Sequence, residues 1–228
     1  MKTKIIALLS ILISQTCLAE WRGAAGFTSD YAFRGWQYSE NTSAATLFVE
    51  YQSNMGFYGS VWLSEQEQKD IQYRGQRELD YILGYVGTLS ESTAYDLSYT
   101  RYTFPKSVFE YDWEEINLAF HVGQQWTMLL GVNRSQFRQG ENGSVVELTY
   151  RDFFDVMLVD NVLVDMSLGR VGNESLVNNY YYYEIGFSKQ FKKLQSRIAW
   201  TDTHQNGLQQ YILPLIKSEW SASLTYRF

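Results

Sequence analysis

Acid and base sit close together in "FTSDYAFRG", residues 27–35, where Asp30 and Arg34 are threaded between the rings of Phe27, Tyr31 and Phe33. A carboxylate and a guanidinium at this spacing can each find an opposite charge on a neighbouring strand. They can also line an aqueous path and bias which ions enter it. If the stretch is a strand, its rings face one way and its charges the other, so the two faces see different solvents. The question is which elements would hold such a segment, and what lies on either side of it.

The first twenty residues set a compartment. Lys2 and Lys4 precede an apolar run from Ile5 to Ile13, followed by small residues ending at Ala19. This is the layout of a secretory signal peptide, with cleavage expected between Ala19 and Glu20. The apolar run is about nine residues, whereas a spanning helix needs roughly twenty. The expected organisation is therefore a leader over 1–19 and one domain over 20–228. Cys17 is the only cysteine and falls in the leader, which excludes disulfides and thiolate metal sites from the mature chain. With a net charge of −6 and no basic cluster, the chain is not built to neutralise phosphates, so no nucleic-acid partner is expected. The 18 tyrosines and 7 tryptophans suit surfaces that are apolar at one end and wet at the other, as at a membrane boundary.

Alternation runs through almost the whole mature chain. In "EINLAFHV", Ile116, Leu118, Phe120 and Val122 share one face and Glu115, Asn117, Ala119 and His121 the other; "ELDYILGY" and "VVELTYR" repeat the pattern. Period two predicts strands with one apolar and one polar face. Twelve are expected, over 24–34, 44–52, 57–64, 78–87, 94–104, 114–122, 126–134, 144–155, 162–172, 180–189, 194–203 and 219–228. The turn between the eighth and ninth is expected near Asp160-Asn161, a turn-favouring pair. Short gaps ("SNMG", "FKK") alternate with longer polar ones ("EQEQKDIQYRGQR", "HQNGLQQYILPLIKSE"). This is the layout of an all-β transmembrane antiparallel barrel, with short periplasmic turns and longer extracellular loops. A secreted sandwich also alternates, but the tyrosines gathered at 180–183 and the closing "WSASLTYRF" favour the lipid-facing wall. Leu224, Tyr226 and Phe228 share a face there and resemble an outer-membrane assembly signal, which implies the barrel-assembly machinery as a partner and outer-membrane lipid as the solvent.

With apolar faces outward, the lumen receives Asp30, Arg34, Glu50, Asp80, Asp96, Glu115, His121, Glu147, Arg151, Asp165, Glu184, Arg197 and Arg227. These are the candidate pore-lining residues, and their acidic excess predicts a preference for cations. A lumen plugged by acid–base pairs between strands is the structural alternative. Some twelve-stranded outer-membrane barrels are phospholipases, which need serine and histidine within hydrogen-bond reach. His121 has no serine near it in its strand and His204 opens a polar loop, so no catalytic residue is expected. "EQEQKD" lacks the spaced ligands and glycine of a cation loop, so neither metal nor cofactor is expected.

"TSDYAFRG" (28–35), "NMGFYGSVW" (54–62), "ELDYILGY" (78–85), "YTFP" (102–105) and "AWTDT" (199–203) come in this order along the chain. Together they resemble the TorF-type porin family, conserved bacterial outer-membrane proteins long carried without an assigned function. The resemblance spans most of the mature chain and implies a channel for a small solute that it does not identify. It supplies no binding or catalytic residue.

Overall fold

The computed structural model describes residues 19–39, 42–66, 77–105, 112–134, 142–157, 159–173, 179–205 and 218–228. The expected leader, apart from Ala19, lies outside them, as do parts of the longer loops; Glu20 opens the first strand. The wall is built from β1 (Glu20–Thr28), β4 (Ala44–Gln52), β5 (Phe57–Gln66), β6 (Arg77–Ser90), β7 (Thr93–Thr103), β8 (Trp113–Val122), β9 (Trp126–Arg134), β10 (Asn142–Val156), β11 (Val159–Asn173), β12 (Tyr180–Phe191), β13 (Leu194–Gln205) and β14 (Glu219–Arg227). Each pairs antiparallel with the next, and β1 pairs with β14, so the sheet closes into the expected twelve-stranded barrel. Two short strands, β2 (Ala32–Phe33) and β3 (Trp36–Gln37), form a separate hairpin between β1 and β4.

Period two sorts the side chains. On β14, Trp220, Ala222, Leu224 and Tyr226 are exposed while the residues between them are half-buried. Leu83, Val132 and Trp220 are more than 60% exposed on the outer surface. Inside lie buried polar groups such as Glu78, Asp80, Thr100, Glu115, Asn117 and Asn133. This is a core turned inside out: the apolar band is on the outer surface and the charge is in the lumen.

The C-terminus seals the cylinder. The Phe228 amide donates to the Gly23 carbonyl at 2.9 Å, and the Gly23 amide donates to the Phe228 carbonyl at 3.1 Å. These bonds continue the β1–β14 ladder to its last residue, where an open edge would present unpaired donors. Deleting Phe228 is expected to reduce the fraction of compact, heat-modifiable barrel, read as the mobility difference between unheated and boiled samples on a gel.

Apart from shifts of up to three residues at strand ends, two placements differ from expectation. The eighth and ninth strands turn at Met157, which takes a left-handed φ of 52°, and not at Asp160-Asn161. That pair sits inside β11 as a bulge: Phe154 pairs with Val162 and Val156 with Val159, so two residues oppose Asp155 alone. The Asn161 amide donates to the Asp155 carboxylate at 2.8 Å. The turn-favouring chemistry was used for the bulge.

The first strand is the larger correction. It spans 20–28 and not 24–34, and the chain leaves the wall after Thr28. Thr28 Oγ1 donates to the Asp30 carbonyl at 2.6 Å, the Ser39 hydroxyl donates to the Asp30 carboxylate at 2.6 Å, and the Tyr31 amide donates to Ser39 Oγ at 2.6 Å. These bonds fold residues 29–39 on themselves. Phe27 does face outward, at 56% exposure, but Tyr31 and Phe33 do not.

Candidate functional site

The hairpin folds into the barrel and crosses the lumen. Its turn is Arg34-Gly35, both residues left-handed (φ 51° and 75°), between the paired Phe33 and Trp36. Two successive positive φ values in a two-residue loop match the twist of the flanking strands. Glycine is required here for a second reason: a Cβ on Gly35 would lie 2.3 Å from Thr203 Cγ2 on β13 and 2.8 Å from Tyr182 Cβ on β12. On the opposite side, the Tyr31 ring lies 6.3 Å from Trp62 of β5 and the Phe33 ring 6.0 Å from Tyr102 of β7. Gln37 Nε2 donates to Glu219 of β14 at 3.0 Å. A segment that touches β5, β7, β12, β13 and β14 spans the bore.

One ion pair anchors it. Arg34 Nη1 donates to both Glu115 carboxylate oxygens at 2.9 Å, and the two side chains are 8% and 0% exposed. Glu115 also accepts from Asn117 Nδ2 at 2.8 Å and Asn133 Nδ2 at 3.4 Å, so the buried carboxylate is hydrogen-bonded from β8, β9 and the hairpin. Burial works against the Arg34 charge, but Glu115 outweighs it and holds the guanidinium ionised. Burial also pushes the Tyr31 and Tyr38 phenols well above their usual range, with the Glu78 carboxylate adding to the effect. Both rings are therefore neutral, and their contribution is packing: Tyr38 stacks on Phe104 at 6.1 Å, beside Tyr102 stacked on Trp113 at 3.7 Å.

The other lumen residues fall into small networks. Arg197 of β13 donates to Asp165 of β11 at 2.8 and 3.2 Å and to Glu184 of β12 at 2.5 Å. Arg151 is in register with Asp165 across β10 and β11. Glu147 accepts a short bond from the Tyr182 hydroxyl. His121 Nδ1 lies 3.1 Å from Thr127 Oγ1. Asp80, with Glu78, is buried behind the hairpin and acts electrostatically on Tyr31. Arg22 pairs with Glu50, and Arg22 Nη2 also donates to Gln52 at 2.7 Å. Tyr58 donates to Asp96 at 2.8 and 3.0 Å, and Arg227 donates to Gln195 at 2.5 Å. Around these last groups, at the short-turn end, is a cavity of about 490 Å³. Among the described residues no cluster of His, Cys, Asp and Glu is placed to hold a metal ion.

Asp30 and Arg34 thus enter the lumen from the inserted hairpin and not from the wall, and Arg34 meets a residue 81 positions away. The "YYYY" run is a girdle on one face only: Tyr181 and Tyr183 are exposed, while Tyr180 and Tyr182 are buried against Val145 and Val171. Sequence reasoning missed Arg22, Tyr58, Glu78 and Glu219. Glu78 shares a face with Asp80 two residues on, which parity alone reveals; Arg22 precedes position 24, where alternation places the start of the first strand, whereas β1 begins at Glu20.

Residues 18–228 match the family described as "Bacterial protein of unknown function (Gcw_chp)". No curated protein matches the chain in sequence. In fold the chain is similar to a KdgM porin, with a TM-score of 0.55 at 9% identity, covering 92% of this chain and 99% of that one. It is likewise similar to a KdgM porin in complex with disordered oligogalacturonate, with a TM-score of 0.52 at 7% identity over 92% and 99% of the two chains. At such identities the likeness is one of fold.

Proposed function

We propose that this chain, which belongs to the Gcw_chp family of bacterial proteins of unknown function, is an outer-membrane channel of the TorF type that lets small solutes diffuse through its lumen. The observation that carries the reading is the inverted polarity of a closed wall: apolar rings and aliphatic chains outside, paired charges inside. An exposed apolar band of this kind belongs in lipid. In this reading the leader 1–19 directs export, the assembly machinery engages the strand ending in Leu224, Tyr226 and Phe228, and β2–β3 forms the constriction. Arg34 and the wall carboxylates then set the field that a solute crosses. Carboxylates outnumber guanidinium groups on the described inner wall, which supports a preference for cations. The same excess speaks against carrying over the oligogalacturonate of the KdgM complex, since a polyanion would be repelled. His121, on the inner wall beside Thr127, is read as structural, and no catalytic role is assigned.

A second reading, a plugged barrel without transport, is favoured by the wedged tip at Gly35 and the buried Arg34–Glu115 anchor. Planar-bilayer recording of purified protein under a potassium chloride gradient separates the two. The expected result is discrete conductance with a reversal potential on the cation side. A potential on the anion side overturns the selectivity, and folded protein that conducts nothing overturns the channel.

A further inference from the structure

The cavity at the short-turn end lies on the other side of the lumen contents from the hairpin's loop, and its charges are unevenly matched. The Arg22 guanidinium is answered by Glu50. Arg227, on β14, is held by the neutral side chain of Gln195 and has no carboxylate partner among the described residues. Asp96, on β7, accepts the Tyr58 hydroxyl hydrogen between its two carboxylate oxygens and has no cationic partner among the described residues. Between the two run the strands β1, β4, β5 and β6. Ala24 is in register with both Arg227 and Phe48, and Val86 is in register with Asp96. Ala24, Phe48 and Val86 all line the cavity, with the Arg22–Glu50 pair, Gln52 and Tyr58 beside them, so apolar side chains lie between one unanswered cation and one unanswered anion.

The geometry points to a binding site here for a small zwitterion, an ω-amino carboxylate whose carboxylate meets Arg227 and whose ammonium meets Asp96, with its methylene spacer on Phe48 and Val86. A guanidinium presents parallel donors to a carboxylate, and a carboxylate takes an ammonium as a charge-assisted partner. The Tyr58 and Gln195 contacts hold each head group's partner in place before the ligand arrives, which lowers the ordering cost of binding. A volume of about 490 Å³ lies within the ordinary range of small-molecule sites. The two head-group charges cancel, so the ligand enters the acidic lumen without the repulsion that an anion would meet.

The site does not rest on the channel reading, because binding to the folded barrel is measured without conduction. Titration calorimetry of the detergent-solubilised protein with 6-aminohexanoate should show saturable binding, with hexanoate and hexylammonium at least about tenfold weaker, as the loss of one charge-assisted contact predicts. Asp96→Asn and Arg227→Gln should each weaken 6-aminohexanoate by a similar factor. Asp96→Asn should leave hexanoate unchanged, and Arg227→Gln should leave hexylammonium unchanged. Equal binding of hexanoate and 6-aminohexanoate, indifferent to Asp96→Asn, would make this an anion site and overturn the proposal. Hexylammonium matching 6-aminohexanoate would overturn it in the other direction, and so would the absence of saturable binding. Should Arg227→Gln fail to assemble, because it lies in the closing strand, the Asp96→Asn barrel with the three ligands still decides.

Discussion

Barrels carrying Arg34→Ala are expected to conduct several-fold more than the parent in planar bilayers. The hairpin is a poor structure on its own: two strands of two residues each, where isolated hairpins are marginal even when longer. What keeps it across the bore is the pair with Glu115. Removing one partner of a buried pair leaves the other charge stranded, at a cost of ~3–5 kcal/mol. The contacts that remain are the ring pairs Tyr31 on Trp62, Phe33 on Tyr102 and Tyr38 on Phe104, each worth roughly 0.5–1.5 kcal/mol beyond their burial, and the Gln37–Glu219 hydrogen bond. None of them solvates the stranded Glu115 carboxylate, which water can do only once the segment moves, so the hairpin is expected to leave the lumen and admit water to Glu115. The double variant Arg34→Ala/Glu115→Gln separates opening from misfolding. It removes the stranded charge, and the Asn117 and Asn133 amides still have an oxygen to bond. Its thermal stability should return toward that of the parent while its conductance stays high. If both variants are folded and conduct like the parent, β2–β3 is not the constriction.

That hairpin marks where the sequence stopped being legible. Alternation identified the wall because lipid outside and water inside impose one rule on every strand, and β4, β8, β9 and β14 begin or end within a residue of expectation. The same rule misplaced residues 29–34, since rings alternating with charges read alike in a wall strand and in a loop folded inward. The local clue was Gly35 after Arg34, a turn-compatible pair, but nothing nearby indicates that Arg34 reaches a carboxylate on β8. Bulges are equally hidden: Asp160-Asn161 has turn chemistry in either setting, and only the pairing register of β10 with β11 decides. Which charges share a face within a wall strand, by contrast, follows from parity once the strand is placed; Asp30 and Arg34, outside the wall, are the exceptions. The partners of the wall charges do not follow, because Arg197 and Tyr58 reach past the strand next to them.

Arg197→Ala should destabilise the barrel by about 2–3 kcal/mol, below the full cost of breaking a buried pair because the guanidinium remains 24% exposed. The size follows from what it joins. Arg197 on β13 bonds Glu184 on β12 and then Asp165 on β11, crossing an entire strand. Gly186 makes the crossing possible: it is in register with Asp165 on one side and Ala199 on the other. A Cβ there would fall 1.6 Å from Arg197 Nη1. A flexible arginine usually swings away from such a clash at little cost, but this one is pinned at both ends, so moving it gives up the bridge. Gly186→Ala is therefore expected to cost nearly as much as Arg197→Ala, and the two together little more than either alone. Asp165→Asn in the Arg197→Ala background should recover part of the loss by removing one stranded carboxylate. Urea unfolding of the reconstituted barrel, followed by tryptophan fluorescence, reads all four. A neutral Gly186→Ala, or full additivity with Arg197→Ala, would mean that Arg197 does not bridge the strands through that gap.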